Sequence, residues 1–105
     1  MLKTIRFDAA YFLDNEKKQV AYITVALETG NADFVRDAHG IVAKARGMGH
    51  VAKTANLSRA SLYKALGETG NPEFSTVMRV MSALGLTSAA RPAEPKRTPR
   101  KNRAA

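Results

Sequence analysis

The sequence predicts an all-α domain, and three observations carry that prediction. Apolar residues recur at helical spacing in three separate stretches, with none of the strict alternation that a strand needs. Glycine and asparagine stand where such helices must start and stop, at Gly30, Asn31, Gly47, Asn71 and Gly85. Residues 49–67, Gly-His-Val-Ala-Lys-Thr-Ala-Asn-Leu-Ser-Arg-Ala-Ser-Leu-Tyr-Lys-Ala-Leu-Gly, read as two short helices joined by a tight turn, a helix-turn-helix. About five helices are expected, and no strand.

The elements follow in order. Asp8 can cap a short helical turn through residues 11–13. A helix over 16–28 carries Val20, Ile23 and Leu27 on one face and stops at Gly30. Asn31 is the N-cap of the next helix, in which Phe34, Ala38, Ile41, Val42 and Ala45 form the stripe and Gly47 the stop. In the turn-linked pair, Ala52 is the small residue at the crossing, and Val51 and Ala55 are the inner face of the first helix. Asn56 sits in the turn, where asparagine is the residue that best tolerates a positive φ after glycine. Leu57 plugs the corner, Ser58 caps the second helix, and Leu62 with Ala65 and Leu66 faces inward. That leaves Arg59, Ala60, Tyr63 and Lys64 outward. Asn71-Pro72-Glu73 opens a last helix whose stripe, Phe74, Val77, Met78, Met81 and Leu84, is expected to be core, closed by Gly85.

The same pair also fits an αα-corner with no nucleic-acid role, and charge separates the two readings. Residues 38–70 hold Lys44, Arg46, Lys53, Arg59 and Lys64 against the single acid Glu68, whereas residues 1–37 carry a net −1. Positive charge thus collects on the unit that would meet phosphates. A guanidinium, a methyl, a phenol and an ammonium on one helix suit a major groove. Arg59 and Lys64 are the expected base readers, and Tyr63 would stack along sugar or touch a thymine methyl. Lys44, Arg46 and Lys53 would hold phosphates, with Ser58 donating to one at the helix N-terminus.

Composition bounds the rest. A chain of 105 residues with 45% apolar content can bury one core, and its net charge of +8 favours a polyanionic partner. With no cysteine, disulfides and thiolate metal sites are excluded and a reducing, cytoplasmic setting is the default. No apolar run approaches the roughly 18 residues of a membrane span. His39 and His50 stand apart without clustered acids, so neither metal nor cofactor is expected; His50 reads as a phosphate or backbone contact, or as a plain surface residue. Gly47-Met48-Gly49 lacks the βαβ setting of a phosphate loop and reads as a turn. No serine has a base beside it, and no enzyme activity is expected. The boundary falls at residue 90: residues 1–90 form the domain. Residues 91–105, with three prolines and six Lys/Arg against one Glu, form a tail of net +5 expected to be disordered. It reads as an arm for phosphates or as a solvated extension.

Particular runs then resemble a known family. Phe7-Asp8-Ala9-Ala10-Tyr11-Phe12-Leu13, Ala45-Arg46-Gly47-Met48, Leu57-Ser58-Arg59, Leu62-Tyr63-Lys64-Ala65-Leu66 and Gly70-Asn71-Pro72-Glu73-Phe74 are similar to the addiction module antidote family. These are HigA-like helix-turn-helix antitoxins with a lambda-repressor-like DNA-binding domain. Asn56 departs from the glycine usual in that turn, and the tail lies outside the family core. The resemblance implies a type II toxin-antitoxin module. Its antitoxin binds operator DNA as a homodimer, represses its own operon and neutralises a small RelE/ParE-like toxin. A phage-type regulator without a toxin partner remains the alternative. Such a toxin handles RNA and would be basic, so the acidic N-terminal region is its expected contact, through Phe7, Tyr11, Phe12, Asp14 and Glu16. Those aromatics could equally pack on the domain's own core. The dimer interface is expected around residues 80–86 or in the N-terminal segment.

Overall fold

A computed structural model describes residues 9–93 of the chain, and every regular element within them is a helix. There are six: α1 (Ala9–Phe12), α2 (Glu16–Thr29), α3 (Ala32–Arg46), α4 (Met48–Thr54), α5 (Arg59–Leu66) and α6 (Phe74–Ala83). The expected cap Asp8 and the tail beyond residue 93 lie outside the described residues, and Arg91 comes within 3.9 Å of Glu28.

Local chemistry sets the boundaries. Asn15, not anticipated as a cap, accepts the Lys18 N–H at 2.9 Å and starts α2. Gly30 ends that helix in the left-handed conformation. Asn31 accepts the Phe34 N–H at 3.0 Å and starts α3. Gly47, at φ 103°, turns the chain directly from α3 into α4, so Met48 and Gly49 form the first turn of a helix rather than a loop. Met48 is buried there.

The long helix α3 is the spine, packing against α1, α2, α4 and α5, while α6 packs on α4. Ala38 and Val42 of α3 meet Ile23 and Ala26 of α2, Val51 and Ala52 of α4, Leu62 and Leu66 of α5, and Val80 and Leu84 of α6 in one core. Small residues on α2, α3 and α4 let these backbones approach closely.

Two faces differ from the periodicity. In α2 the inward positions are Gln19, Ile23 and Ala26, while Val20 and Leu27 are exposed. Gln19 is tolerated inside because its amide donates to the Leu13 carbonyl at 2.8 Å and its oxygen accepts from Arg46 Nε. In α6 the core takes Val80, Met81 and Leu84, while Phe74 is 78% exposed and Met78 is also exposed. The N-terminal half of α6 therefore has its apolar side in solvent. His39, unremarked as a core candidate, is 1% exposed.

Candidate nucleic-acid interface

The four residues between α4 and α5 do the positioning. Asn56 adopts φ 62°, the left-handed value its side chain tolerates. The Leu57 N–H returns to the Ala52 carbonyl at 2.8 Å, and its half-buried side chain closes the corner. Ser58 Oγ accepts the Ser61 N–H at 2.9 Å, capping α5, and its own hydroxyl donates to Ser61 Oγ at 2.8 Å. Val51, Ala52 and Ala55 face inward from α4 and the turn, and Leu62 and Leu66 from α5. The opposite side of α5 is thereby presented to solvent: Arg59, Ala60, Tyr63 and Lys64 are all exposed.

Within that face the Arg59 guanidinium lies 5.7 Å from the centroid of the Tyr63 ring, in cation–π range. It also passes over Gly49 of α4, where an added Cβ would sit 3.9 Å from Nη1. Arg59 thus spans the seam between α4 and α5. Lys44 and Tyr63 line one shallow groove between α3 and α5, together with Asp37 and Met48. Lys53 is exposed on the last turn of α4. Lys44, Lys53, Arg59 and Lys64 are thus exposed cations on three successive helices, and burial of the apolar residues beside them accounts for it.

Arg46 does not join this set. It is half-buried; Nε donates to Gln19 and Nη2 donates to the Leu84 carbonyl at 3.0 Å. Its guanidinium joins α2, α3 and the end of α6. Ten residues earlier on α3, Arg36 does a similar job at the other end of α6. It donates to the Gly70 carbonyl at 3.1 Å and pairs with Asp33 and Asp37. An arginine in the last turn of a helix looks the same in sequence whether its target is a phosphate or a carbonyl. Nothing in the sequence marks Gln19 as buried, so nothing there shows that Arg46 is needed inside.

At the N-terminal end, Tyr11 is 78% and Phe12 55% exposed, their rings edge-to-face at 5.4 Å. Asp14 pairs with Lys18 at 3.0 Å, and Glu16 is exposed at the start of α2. Phe7 lies outside the described residues. His50 is exposed. Among the described residues no group of three or more His, Asp or Glu is arranged to hold a metal ion, and no helix is long and apolar enough to cross a membrane.

A model of the family described as "Probable addiction module antidote protein" matches residues 3–92. The chain belongs to the addiction module antidote protein family. An uncharacterized protein of Haemophilus influenzae is 45% identical over 80 residues, covering 76% of this chain and 82% of its own length. No solved structure matches the chain. The matched region takes in all six helices and both the α4–α5 face and the exposed α1 aromatics.

Proposed function

We propose that this member of the addiction module antidote family is a DNA-binding antitoxin. The α4–turn–α5 unit acts as a lambda-repressor-like helix-turn-helix that holds the operator of its own operon, and the N-terminal helices hold a RelE/ParE-like toxin. The observation that carries the DNA reading is the α5 face itself. Arg59, Ala60, Tyr63 and Lys64 stand outward on a helix capped by Ser58 and fixed from behind by Leu62 and Leu66.

In this reading α5 enters the major groove, with Arg59 on a guanine edge and Lys64 on a neighbouring base. Ala60 allows close approach, and Tyr63 stacks along sugar or meets a thymine methyl. Lys44 and Lys53 take phosphates on either side, and the N-terminus of α5 at Ser58 faces another. Arg46 is left out, since its donors serve Gln19 and Leu84. One helix reads only a few base pairs, so a homodimer on an inverted repeat supplies the specificity. Val80, Met81 and Leu84 belong to the core, and the apolar surface left on α6 for pairing is Phe74 and Met78. Residues 91–105, if they act as an arm, add phosphate contacts alone; truncation at residue 90 would then lower the salt slope by about 0.9 per lost contact.

Titration of promoter DNA against random duplex tests the reading. Arg59→Ala is expected to cost about 1–3 kcal/mol on the operator and little on random DNA, while Lys44→Ala weakens both alike. Equal losses for Arg59→Ala on both duplexes would reduce Arg59 to a backbone contact. For the toxin, the exposed pair Tyr11 and Phe12 with Asp14 and Glu16 offers aromatic anchors rimmed by acids to a basic partner. Replacing both rings by alanine should abolish co-purification with the product of the adjacent gene and leave operator binding intact. An adjacent product that never co-purifies with the native chain would favour the phage-type regulator.

A further inference from the structure

Phe74 is 78% exposed, level with Tyr11 as the least covered large apolar side chain among the described residues. It stands one turn from Met78, also in solvent, on the N-terminal half of α6. Beside it the domain leaves a gap in its packing. A cleft of about 350 Å³ lies between the end of α2, the first half of α3, the α5–α6 connection and α6. Leu27, Val35, Leu66, Pro72, Val77 and Val80 give it apolar walls. Roughly 150 Å³ is enough to hold a benzene ring, so the cleft has room for a phenylalanine side chain. Phe74 does not line it, although Pro72 just before and Val77 just after both do. An apolar knob and an apolar hollow thus adjoin on one helix, and the knob does not fill the hollow of its own chain.

That adjacency selects the occupant. Two copies related by a two-fold axis present the same patch to each other, so each knob enters the other's hollow and the contact closes on itself. A knob remote from its hollow would build an open chain instead. Local charge allows the approach despite the net +8 of each copy. The charged residues lining the cleft are Asp33 and Arg36, while exposed Glu73 and Arg79 bracket Phe74 and Met78 along the chain. One acid accompanies one base in each case, so like patches meet without an excess of either sign. A basic partner finds no acidic surplus here.

We propose that this patch is the homodimer interface, with Phe74 of each copy seated in the α2–α3–α6 cleft of the other. The interface rests on the DNA reading for its use at an operator, yet it forms without DNA. It shares no residue with the outward face of α5 or with the α1 aromatics, so both stay open in the dimer. One knob per copy makes a small contact, and small interfaces are weak. The free chain is then a monomer at low micromolar concentration, and the operator brings two copies together.

Sedimentation equilibrium of the full-length chain without DNA, from low micromolar to millimolar concentration, tests it. A reversible monomer–dimer equilibrium is expected. In a mixture of labelled and unlabelled chains, NMR should show Overhauser contacts from the Phe74 ring of one copy to the Val35 and Val77 methyls of the other. Phe74→Ser should weaken the dimer about a hundredfold, because two buried rings are lost. Phe74→Leu, which keeps an apolar knob, should weaken it far less. Leu27→Glu, on the α2 wall of the cleft, should weaken it too, whereas simple stacking of two α6 faces would not register that change. Both Phe74 and Leu27 are exposed, so these variants keep the fold. A chain still monomeric at millimolar concentration, or a dimer indifferent to Leu27→Glu, would overturn the proposal. So would a monomer whose Phe74→Ser variant stops co-purifying with the adjacent gene product, which would give the cleft to the toxin. Two-copy binding to the promoter by such a monomer would sink this interface alone. A dimer of this kind that ignores the promoter would sink the DNA reading alone.

Discussion

Helices α5 and α6 are of similar length and both carry apolar residues at helical spacing, yet the chain uses them differently. In α5 the inward residues Leu62 and Leu66 are buried along the helix, and the outward residues are polar or small. In α6 only the C-terminal half is buried, through Val80, Met81 and Leu84, and Phe74 and Met78 stand in solvent. The difference follows from how each is held. α5 is packed by α3 and α4, and the four-residue turn sets its rotation. α6 packs on α4 alone among the major helix contacts, while arginines from α3 grip the backbone at Gly70 before it and Leu84 after it. A helix fixed by side chains on two sides presents a defined face. One fixed by side chains over its C-terminal half alone keeps the apolar side of the other half available.

The sharpest test of that contrast is in α5 itself. Leu62→Ala should cost about 2–5 kcal/mol in thermal or urea unfolding, because Leu62 is fully buried. Tyr63→Ala, one residue on and half exposed, should stay within about 0.5 kcal/mol. If both cost the same, α5 is rotated from the orientation described. Next in size comes the grip on α6. Arg46→Met should cost about 1–3 kcal/mol by stranding the Gln19 oxygen and the Leu84 carbonyl. Phe74→Ser, on the same helix but outside the core, should cost little. A neutral Arg46→Met would mean that Val80, Met81 and Leu84 hold α6 without the arginine.

How much of this was legible in the sequence depends on what each residue's neighbours are. The α4–α5 pair was readable to the residue, since Asn56, Leu57 and Ser58 act through backbone geometry within a few positions of themselves. The faces of α2 and α6 were not, because a 3.6-residue period marks a stripe without saying where a partner stops covering it. Gln19 takes an inward place while Val20 and Leu27 stay outside because the Leu13 carbonyl six residues back and Arg46 from across the fold both meet its amide there. Arg46 was misplaced for the same reason, and the buried imidazole of His39 gave no periodic sign.

That imidazole supplies a smaller test. Its pKa is lowered by burial, so the unfolded chain binds the proton more readily than the folded one. Its contribution to stability is complete above the ordinary histidine value of about 6.5 and is lost as pH falls below it toward the folded value. The loss can reach at most about 1.4 kcal/mol per pH unit, the linkage limit for one proton. Melting temperature should therefore fall more between pH 7 and pH 5 for the native chain than for His39→Phe. Parallel curves would place His39 in contact with water.

The smallest expected effect sits in the turn. Asn56→Gly should change stability by no more than about 1 kcal/mol, in the favourable direction if relief of the left-handed backbone outweighs the entropy glycine loses on folding. Asn56→Val, whose branched carbon resists that conformation, should lower it by about 1–2 kcal/mol.

The position of α3 has a consequence for how the molecule comes apart. A helix that touches four others, and whose two arginines secure a fifth, cannot be exposed by loosening any single neighbour. Amide protons at Ala38, Val42 and Ala43 should then exchange only when the whole domain opens, while those of α1 exchange through local fraying. A protease that cuts within α3 would have to wait for the same event, so the lifetime of that one peptide segment measures the stability of the entire fold.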